Sequence, residues 1–314
     1  MIKIIFICIF LSFIDAIGQK RNKQIPKPPD GIWLYENLFI DVTEVTNIHW
    51  LEFLHYISDS SDYFQSLCLL DSSIWEEFPR NNQHYSEFDN YLRYPAFRHY
   101  PVVGISYKQA SLYCEWRSKI VSKYINANLN NKNHFSVKYR LPTKSEWEYA
   151  ARCNLDLSEY PYGYKEIEGK PPEMISWKKY WYFGKYYWDY VNIQDSLISS
   201  NERKEEYMKY KKYAKSKLSH INYNRNKPEF IRDELKATVS VDSGLPNEFG
   251  ILNMIGNVAE IIMEKGYAKG GSWMHPLEKC KIKNDLKFIK PEPWLGFRCI
   301  AEVTAVKAKS SLKR

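Results

Sequence analysis

Cysteine side chains could do chemistry in this 314-residue chain, because a thiolate can attack as a nucleophile, bind a soft metal or form a disulfide. The chain has six cysteines, and Cys8 lies in an apolar N-terminal run. No two have the spacing of a Cys-x-x-Cys redox or zinc motif. The other five leave at least one thiol free or paired between chains, so the simplest interpretation is one structural bridge and buried thiols. These five are Cys68, Cys114, Cys153, Cys280 and Cys299.

The histidines show no catalytic or metal-binding pattern of their own. His49 and His55 lie six residues apart on one predicted helix, where a histidine is more often packed or solvated than ligating. The sequence has no Ser-His-Asp order, no P-loop and no dinucleotide-binding fingerprint.

The composition indicates what kind of protein positions these cysteine and histidine side chains. Hydrophobic residues make up 44% of the chain and aromatic residues 16%, which supplies a packed core and excludes collagen, low-complexity disorder and a disulfide-dense mini-protein. The formal charge of +8 suits solubility or a weakly acidic partner and does not argue for nucleic acid. The length allows one large domain or two small ones.

The N-terminus has the pattern of a secretory signal peptide at residues 1–18, with Lys3 before an apolar stretch and small residues before a cleavage site. A polar, proline-rich leader follows at 19–34. The apolar stretch is too short to span a bilayer, and no other run approaches that length. We therefore expect an exported protein, periplasmic or extracellular, with no transmembrane segment in its mature form.

The elements that follow are short. The run 38–46 predicts a strand, and Asn47 is expected to cap a helix that contains Trp50, Phe53, Leu54 and Ile57. Capping boxes at Ser106/Gln109 and Thr143/Glu146 each predict the start of another helix. Frequent glycines after residue 239 predict turns and short strands. An α+β fold with little regular secondary structure and long loops follows.

Residues 160–236 read as an aromatic and basic insertion. It contains a Lys/Glu/Tyr-rich run at 201–217, which we interpret as a solvated helix in preference to a nucleic-acid patch, because the chain is predicted to be exported. A basic tail occupies 305–314.

Four stretches carry more specific motifs. They are Ile40-Asp-Val-Thr-Glu-Val-Thr-Asn47, Tyr100–Trp116, Tyr139–Arg152 and Asn247–Glu260, with Lys269-Gly-Gly-Ser-Trp273 and Gly296-Phe-Arg-Cys299 after them. Their order and spacing resemble the formylglycine-generating enzyme (sulfatase-modifying factor) superfamily. The resemblance implies a sulfatase-modifying-factor fold, which is C-type-lectin-like, over residues 35–304. It is closest to a secreted bacterial branch that includes gliding-motility and type IX secretion lipoproteins.

In the enzymes of this superfamily, two cysteines five positions apart bind Cu(I) and oxidise a substrate cysteine with oxygen. The matching positions here are His275 and Cys280, so one thiolate ligand is left, while Ser272 is retained. Ala259 replaces an aromatic residue of the substrate groove. The resemblance therefore leaves Ser272, His275 and Cys280 as the candidate catalytic residues of a chain that has lost part of the catalytic pattern.

The resemblance also implies a calcium site and a disulfide. Asn253, Gly256, Val258 and Glu260 match a calcium site built from carbonyl, amide and carboxylate oxygens, although Asn253 and Glu260 could instead satisfy loop backbone groups. Cys114 and Cys299 match positions that pair in the enzymes. Cys153 could then pair with Cys280 or with Cys68, which would exclude a catalytic thiolate at Cys280.

Two functions follow from these expectations. The first is an exported, non-catalytic protein that acts in binding or assembly, with a protein or peptide partner and an interaction face on the insertion. The alternative is a copper-dependent oxidase of the formylglycine-generating type, acting on a peptide cysteine through Cys280. The oligomeric state is left open.

Overall fold

The computed structural model describes residues 25–75, 90–129, 134–153, 237–243 and 246–306. The predicted signal peptide, the insertion at 160–236 and the tail beyond residue 306 lie outside the described residues.

In the described part of the chain, four α-helices begin at hydroxyl side chains that accept a hydrogen bond from the first turn. They are α1 (Asn47–Tyr56), α2 (Asp62–Cys68), α3 (Tyr107–Asn128) and α4 (Lys144–Arg152), and short 3₁₀ turns lie at Ser72–Trp75, Pro95–Phe97 and Leu277–Cys280. Both predicted capping boxes are confirmed, at Ser106/Gln109 and at Thr143/Glu146.

The predicted cap of α1 is wrong by one residue. Thr46 is the N-cap, and its hydroxyl accepts from the backbone N–H of His49. The amide of Asn47 instead donates to the carbonyl oxygens of Tyr91 and Phe97, at 3.3 and 2.9 Å. Asn47 is therefore used for a long-range contact that ties α1 to the segment before residue 101.

The described residues include eight short strands, which form two four-stranded sheets. The strands are β1 (Gly31–Tyr35), β2 (Leu38–Asp41), β3 (His134–Arg140), β4 (Ala259–Ile261), β5 (Tyr267–Lys269), β6 (Leu286–Lys287), β7 (Leu295–Gly296) and β8 (Ile300–Val306). The first sheet has the order β1-β2-β8-β3 and is antiparallel throughout. The second has the order β6-β5-β4-β7, with β4 and β7 parallel. The strand expected within residues 38–46 is confirmed, at Leu38–Asp41.

The core is formed where α1 and α3 meet the first sheet. Trp50 of α1 stacks on Tyr113 of α3 with ring centroids 5.7 Å apart, and Phe297 closes the cluster edge-on. A second cluster around Trp147 of α4 includes Ile40 and Ile300 from the first sheet. Burying these large apolar side chains is the main favourable term for folding. No helix of the described ranges is long and apolar enough to cross a membrane.

Candidate functional site

The three candidate catalytic residues lie on one connection, the 270–284 loop, which joins β5 to β6. The structure brings Ser272 and His275 together: Ser272 Oγ lies 2.6 Å from His275 Nδ1, and the backbone N–H of His275 donates to the carbonyl oxygen of Ser272. The His275 ring packs edge-on against Trp294, with centroids 4.8 Å apart. Burial, and then the charge of Lys279, lower the pKa of His275 below its usual value. A neutral imidazole held by a tight turn is the result.

Cys280 is fully buried within the same 270–284 loop. Its side chain is 0% exposed, and its sulfur faces the carbonyl oxygen of Pro276 at 3.7 Å. A Cβ atom added to Gly271 would lie only 2.2 Å from Cys280 Sγ, and Gly271 has a φ of +68°, so glycine is required there both by space and by conformation. Burial raises the pKa of the Cys280 thiol to about 12, although backbone N–H groups of Gly256 and Ser272 oppose the rise. At neutral pH this sulfur is a thiol.

These properties do not fit a copper centre. Cu(I) binds thiolates in preference to thiols, and metal binding to cysteine requires that the proton leave. Full burial of Cys280 opposes loss of its proton, and at His275 the Nδ1 atom contacts Ser272 Oγ, which leaves Nε2 as the other ring nitrogen. Within the described ranges no group of three or more His, Cys, Asp or Glu side chains is placed to hold a metal ion. A catalytic role for these residues stays a prediction.

The predicted calcium loop is bound to a cation that the chain itself supplies. Arg298 Nη2 donates to Glu260 Oε1 at 2.6 Å, and Arg298 Nε donates to both Glu260 oxygens at 3.0 Å. Trp147 Nε1 donates to Glu260 Oε2 at 2.7 Å. Because these bonds use both carboxylate oxygens of Glu260, the arrangement does not fit a calcium ion that needs the same oxygens. Calcium binding at Asn253, Gly256, Val258 and Glu260 stays a prediction.

Arg298 joins this loop to the end of β2. Besides Glu260 it donates to the carbonyl oxygens of Asp41, Val42 and Leu252, so all of its nitrogen atoms have partners although the side chain is fully buried. A guanidinium ion is suited to this role, since its donors have fixed directions and it keeps its charge when buried.

Glu44 is a second buried carboxylate beside the guanidinium group of Arg298. The sequence motif that contains Glu44 did not predict that this side chain would be buried there. Asn257 Nδ2 donates to Glu44 Oε1 at 2.9 Å and Asn253 Nδ2 to Glu44 Oε2 at 3.2 Å, while Arg298 Nη2 lies 3.9 Å away. Burial raises the pKa of Glu44 to about 7, against the lowering effect of Arg298. Two carboxylates therefore share one cation in the interior.

The predicted disulfide partners meet as thiols. Cys114 Sγ and Cys299 Sγ lie 3.6 Å apart in the core, which is contact distance but longer than the roughly 2.05 Å of a disulfide. The other three cysteines are buried too. Cys153 Sγ points to the carbonyl oxygen of Ala150 at 3.5 Å, within its own helix turn. The Cys114–Cys299 bridge and the proposed pairings of Cys153 stay predictions.

A comparison with known protein families identifies the domain. Residues 14–303 match the family described as "Sulfatase-modifying factor enzyme 1-like domain", which is most of the chain. The protein belongs to this family. The resemblance drawn from the sequence motifs is thereby confirmed, as is the α+β fold that it implied.

Curated relatives of this sulfatase-modifying-factor domain match over short segments. "Serine/threonine-protein kinase pkn1" of Chlamydia pneumoniae is 29% identical over 137 residues, which are 43% of this chain and 17% of the relative. "Inactive C-alpha-formylglycine-generating enzyme 2" of Bos taurus is 38% identical over 66 residues, which are 21% of this chain and 15% of the relative. The matched segments are thus a minor part of each relative's length.

Two solved structures are similar to this chain over most of its length. The structure of PvdO from Pseudomonas aeruginosa has 17% identity and a TM-score of 0.46, covering 88% of this chain and 90% of that one. Treponema denticola variable protein 1 has 17% identity and a TM-score of 0.43, covering 84% of each chain.

Proposed function

We propose that this sulfatase-modifying-factor domain is an exported, non-catalytic module for binding or assembly, with a protein or peptide partner. The observation that supports the proposal most is the state of Cys280. The sulfur is fully buried, which raises the pKa of the thiol to about 12, and His275 stands where a second cysteine would be needed. An oxidase that works through a copper-bound thiolate pair needs the opposite of each property.

The relatives are compatible with this proposal. Two of them carry the name "Inactive C-alpha-formylglycine-generating enzyme 2", from Bos taurus and Mus musculus. The relatives named as kinases match over 17 and 21% of their lengths, which suits a domain that serves as one module of a longer chain. Export rests on the signal-peptide pattern at residues 1–18.

Catalysis is tested with a cysteine-containing peptide, Cu(I) and oxygen, followed by mass spectrometry for formylglycine. The wild-type chain should neither convert the peptide nor take up stoichiometric Cu(I). The matched variants are His275→Cys, which restores a second cysteine, and Cys280→Ser, which removes the first. Conversion by the wild-type chain that is lost in Cys280→Ser would establish the copper-oxidase alternative and overturn the proposal.

Binding is tested by site-specific photo-cross-linking in the native host. A photoreactive residue replaces Trp188, in the aromatic stretch of the predicted interaction face, and a control chain carries it at Tyr124 on the outer side of α3. A discrete cross-linked species at Trp188 that is missing at Tyr124 is the expected result. N-terminal peptide mapping of the same material should show cleavage before Gln19, and an intact Met1 would remove the case for export.

A further inference from the structure

The two ends of the 270–284 loop are joined by an ion pair. Lys269 is the last residue of β5 and Asp285 precedes β6, and Lys269 Nζ lies 3.0 Å from Asp285 Oδ1. The antiparallel register, in which Tyr267 faces Lys287, sets these two side chains opposite each other where the loop leaves the sheet. The contact therefore closes the loop at its base, across the fifteen residues that carry Ser272, His275 and Cys280.

Helix α4 contributes to the same contact. Glu148 Oε1 lies 2.8 Å from Lys269 Nζ, and the ammonium group is 5.7 Å from the centre of the Trp147 ring. The Lys269 side chain is 0% exposed, so these carboxylates take the place of the water that would otherwise solvate its ammonium group. The second oxygen of Asp285 pairs with Lys144 at the start of α4.

The loop conceals Cys280 only while it keeps this shape. Cys280 and Ile282 are both fully buried, and Cys280 Sγ lies against the backbone of Gly271 in the same loop. A reagent can reach the sulfur only if the loop separates from the body of the domain. The carboxylates at its base are less enclosed than the lysine, because the side chain of Asp285 is 29% exposed and that of Glu148 is 18% exposed. Both carboxylates are therefore partly open to water in the folded protein, whereas the lysine is not.

We propose that Lys269, Asp285 and Glu148 form an ionic clasp that holds the 270–284 loop closed over Cys280, so that release of the clasp opens the loop locally. The clasp is a conformational device of this chain, and it sets how often the candidate site and its thiol become accessible. Local opening of this kind is expected where a loop is held by a few polar contacts at its base and the rest of the domain has its own core. The electrostatics agree, because the hydrogen bonds from Lys144 and Lys269 lower the pKa of Asp285 against the opposing effect of burial.

The test measures how fast iodoacetamide labels Cys280 in the full-length, reduced protein, by peptide mapping under native conditions. Cys68, which is buried at the end of α2, reports global unfolding in the same sample. Asp285→Asn removes the charge that joins the loop ends and should raise the labelling rate of Cys280 at least tenfold, with that of Cys68 unchanged. Lys144→Met is the matched control, since it also removes a partner of Asp285 but leaves the pair with Lys269; its labelling rate should stay within about twofold of wild type.

Either of two results would overturn the clasp. Equal acceleration at Cys280 and Cys68 would mean that Asp285 supports the whole fold. Unchanged labelling of Cys280 in Asp285→Asn would mean that packing of Cys280 and Ile282 alone holds the loop. Amide hydrogen exchange provides a second readout: the 270–284 amides should exchange at least tenfold faster in Asp285→Asn, while those of α1 keep the wild-type rate.

Discussion

Arg298 and Glu260 form a salt bridge that is closed to solvent on every side, with Nη2 and Oε1 2.6 Å apart and side chains that are 0 and 1% exposed. The same guanidinium binds the carbonyl oxygens of Asp41, Val42 and Leu252. The Arg298 side chain thus holds the end of β2, the segment 252–260 and the start of β8 in fixed positions relative to one another.

Removing the cation should destabilise the domain strongly. Arg298→Met leaves Glu260 and Glu44 buried without a positive partner, and we expect it to lower the free energy of unfolding by about 3–5 kcal/mol. Urea unfolding followed by tryptophan fluorescence measures this. Lys144→Met removes a more exposed pair and should lower the free energy by less than about 1 kcal/mol. Equal losses in the two variants would show that the buried pair has no special weight.

Glu44 predicts an unusual dependence of stability on pH. Its pKa is about 7 in the folded protein and near 4.5 when unfolded, so the folded state binds the extra proton. The resulting stabilisation is complete below pH 4.5 and is lost as the pH rises through 7, by up to about 3 kcal/mol. Thermal unfolding between pH 5 and 8, in EGTA, should show a fall in wild type that is much smaller in Glu44→Gln. Parallel curves for the two proteins would exclude this assignment.

The hydrogen bonds of Glu260 predict a weak response to calcium, contrary to the calcium site that the sequence motif implied. Because Glu260 is saturated by Arg298 and Trp147, adding millimolar Ca²⁺ after EGTA treatment should move the melting temperature by less than about 1 °C. Mg²⁺ at the same concentration controls for ionic strength. A saturable rise with Ca²⁺ alone would show that Glu260 leaves Arg298 for the metal, as the sequence motif implied.

The helix caps allow a direct measure of local stability. Ser106→Ala removes the hydroxyl that accepts from the backbone N–H of Gln109, and should lower the free energy of unfolding by about 1 kcal/mol. Ser111, one turn into α3, instead donates to the carbonyl oxygen of Tyr107, whose helical partner remains. Ser111→Ala should therefore change stability by less than about 0.5 kcal/mol. Chemical denaturation distinguishes the two, and a larger loss at Ser111 would contradict the capping account.

The two core thiols should be joined in protein recovered from an oxidising compartment. Cys114 and Cys299 are close enough that a small side-chain rotation would bond them, and the bridge should stabilise the domain by about 2–5 kcal/mol. Peptide mapping without reduction should find Cys114 linked to Cys299 and the sulfur of Cys280 free. A bridge from Cys280 to Cys153 or to Cys68 would contradict this expectation.

The starts of two helices could be predicted from local sequence patterns. The capping boxes depend on residues three positions apart, and they predicted the starts of α3 and α4 correctly. Asn47 shows where local signals fail. Asparagine is a good capping residue, so Asn47 was predicted as the N-cap of α1 in place of its neighbour Thr46. Its side-chain amide instead donates to the carbonyl oxygens of Tyr91 and Phe97, which lie 44 and 50 residues further along the chain.

The site depends on contacts that no spacing rule reveals. Glu260 looked like a metal ligand because its partner, Arg298, is distant in sequence and lies in a separate motif. Lys269 was visible only as the residue before two glycines, and its carboxylates come from α4 and from the far end of the loop. Such pairs are set by how the sheets and α4 pack, which the local pattern of residues does not specify.

The position of β8 has a consequence for synthesis. This strand lies between β2 and β3, so the first sheet lacks one of its central strands until residues 300–306 have been made. At about 5–20 residues per second, β2 waits on the order of tens of seconds with one edge unpaired. A nascent chain in that interval offers its edge to any other strand it meets. Ribosome stalling before Ile300 should therefore yield aggregation-prone fragments, and protection by a chaperone matters most while this last strand is still missing.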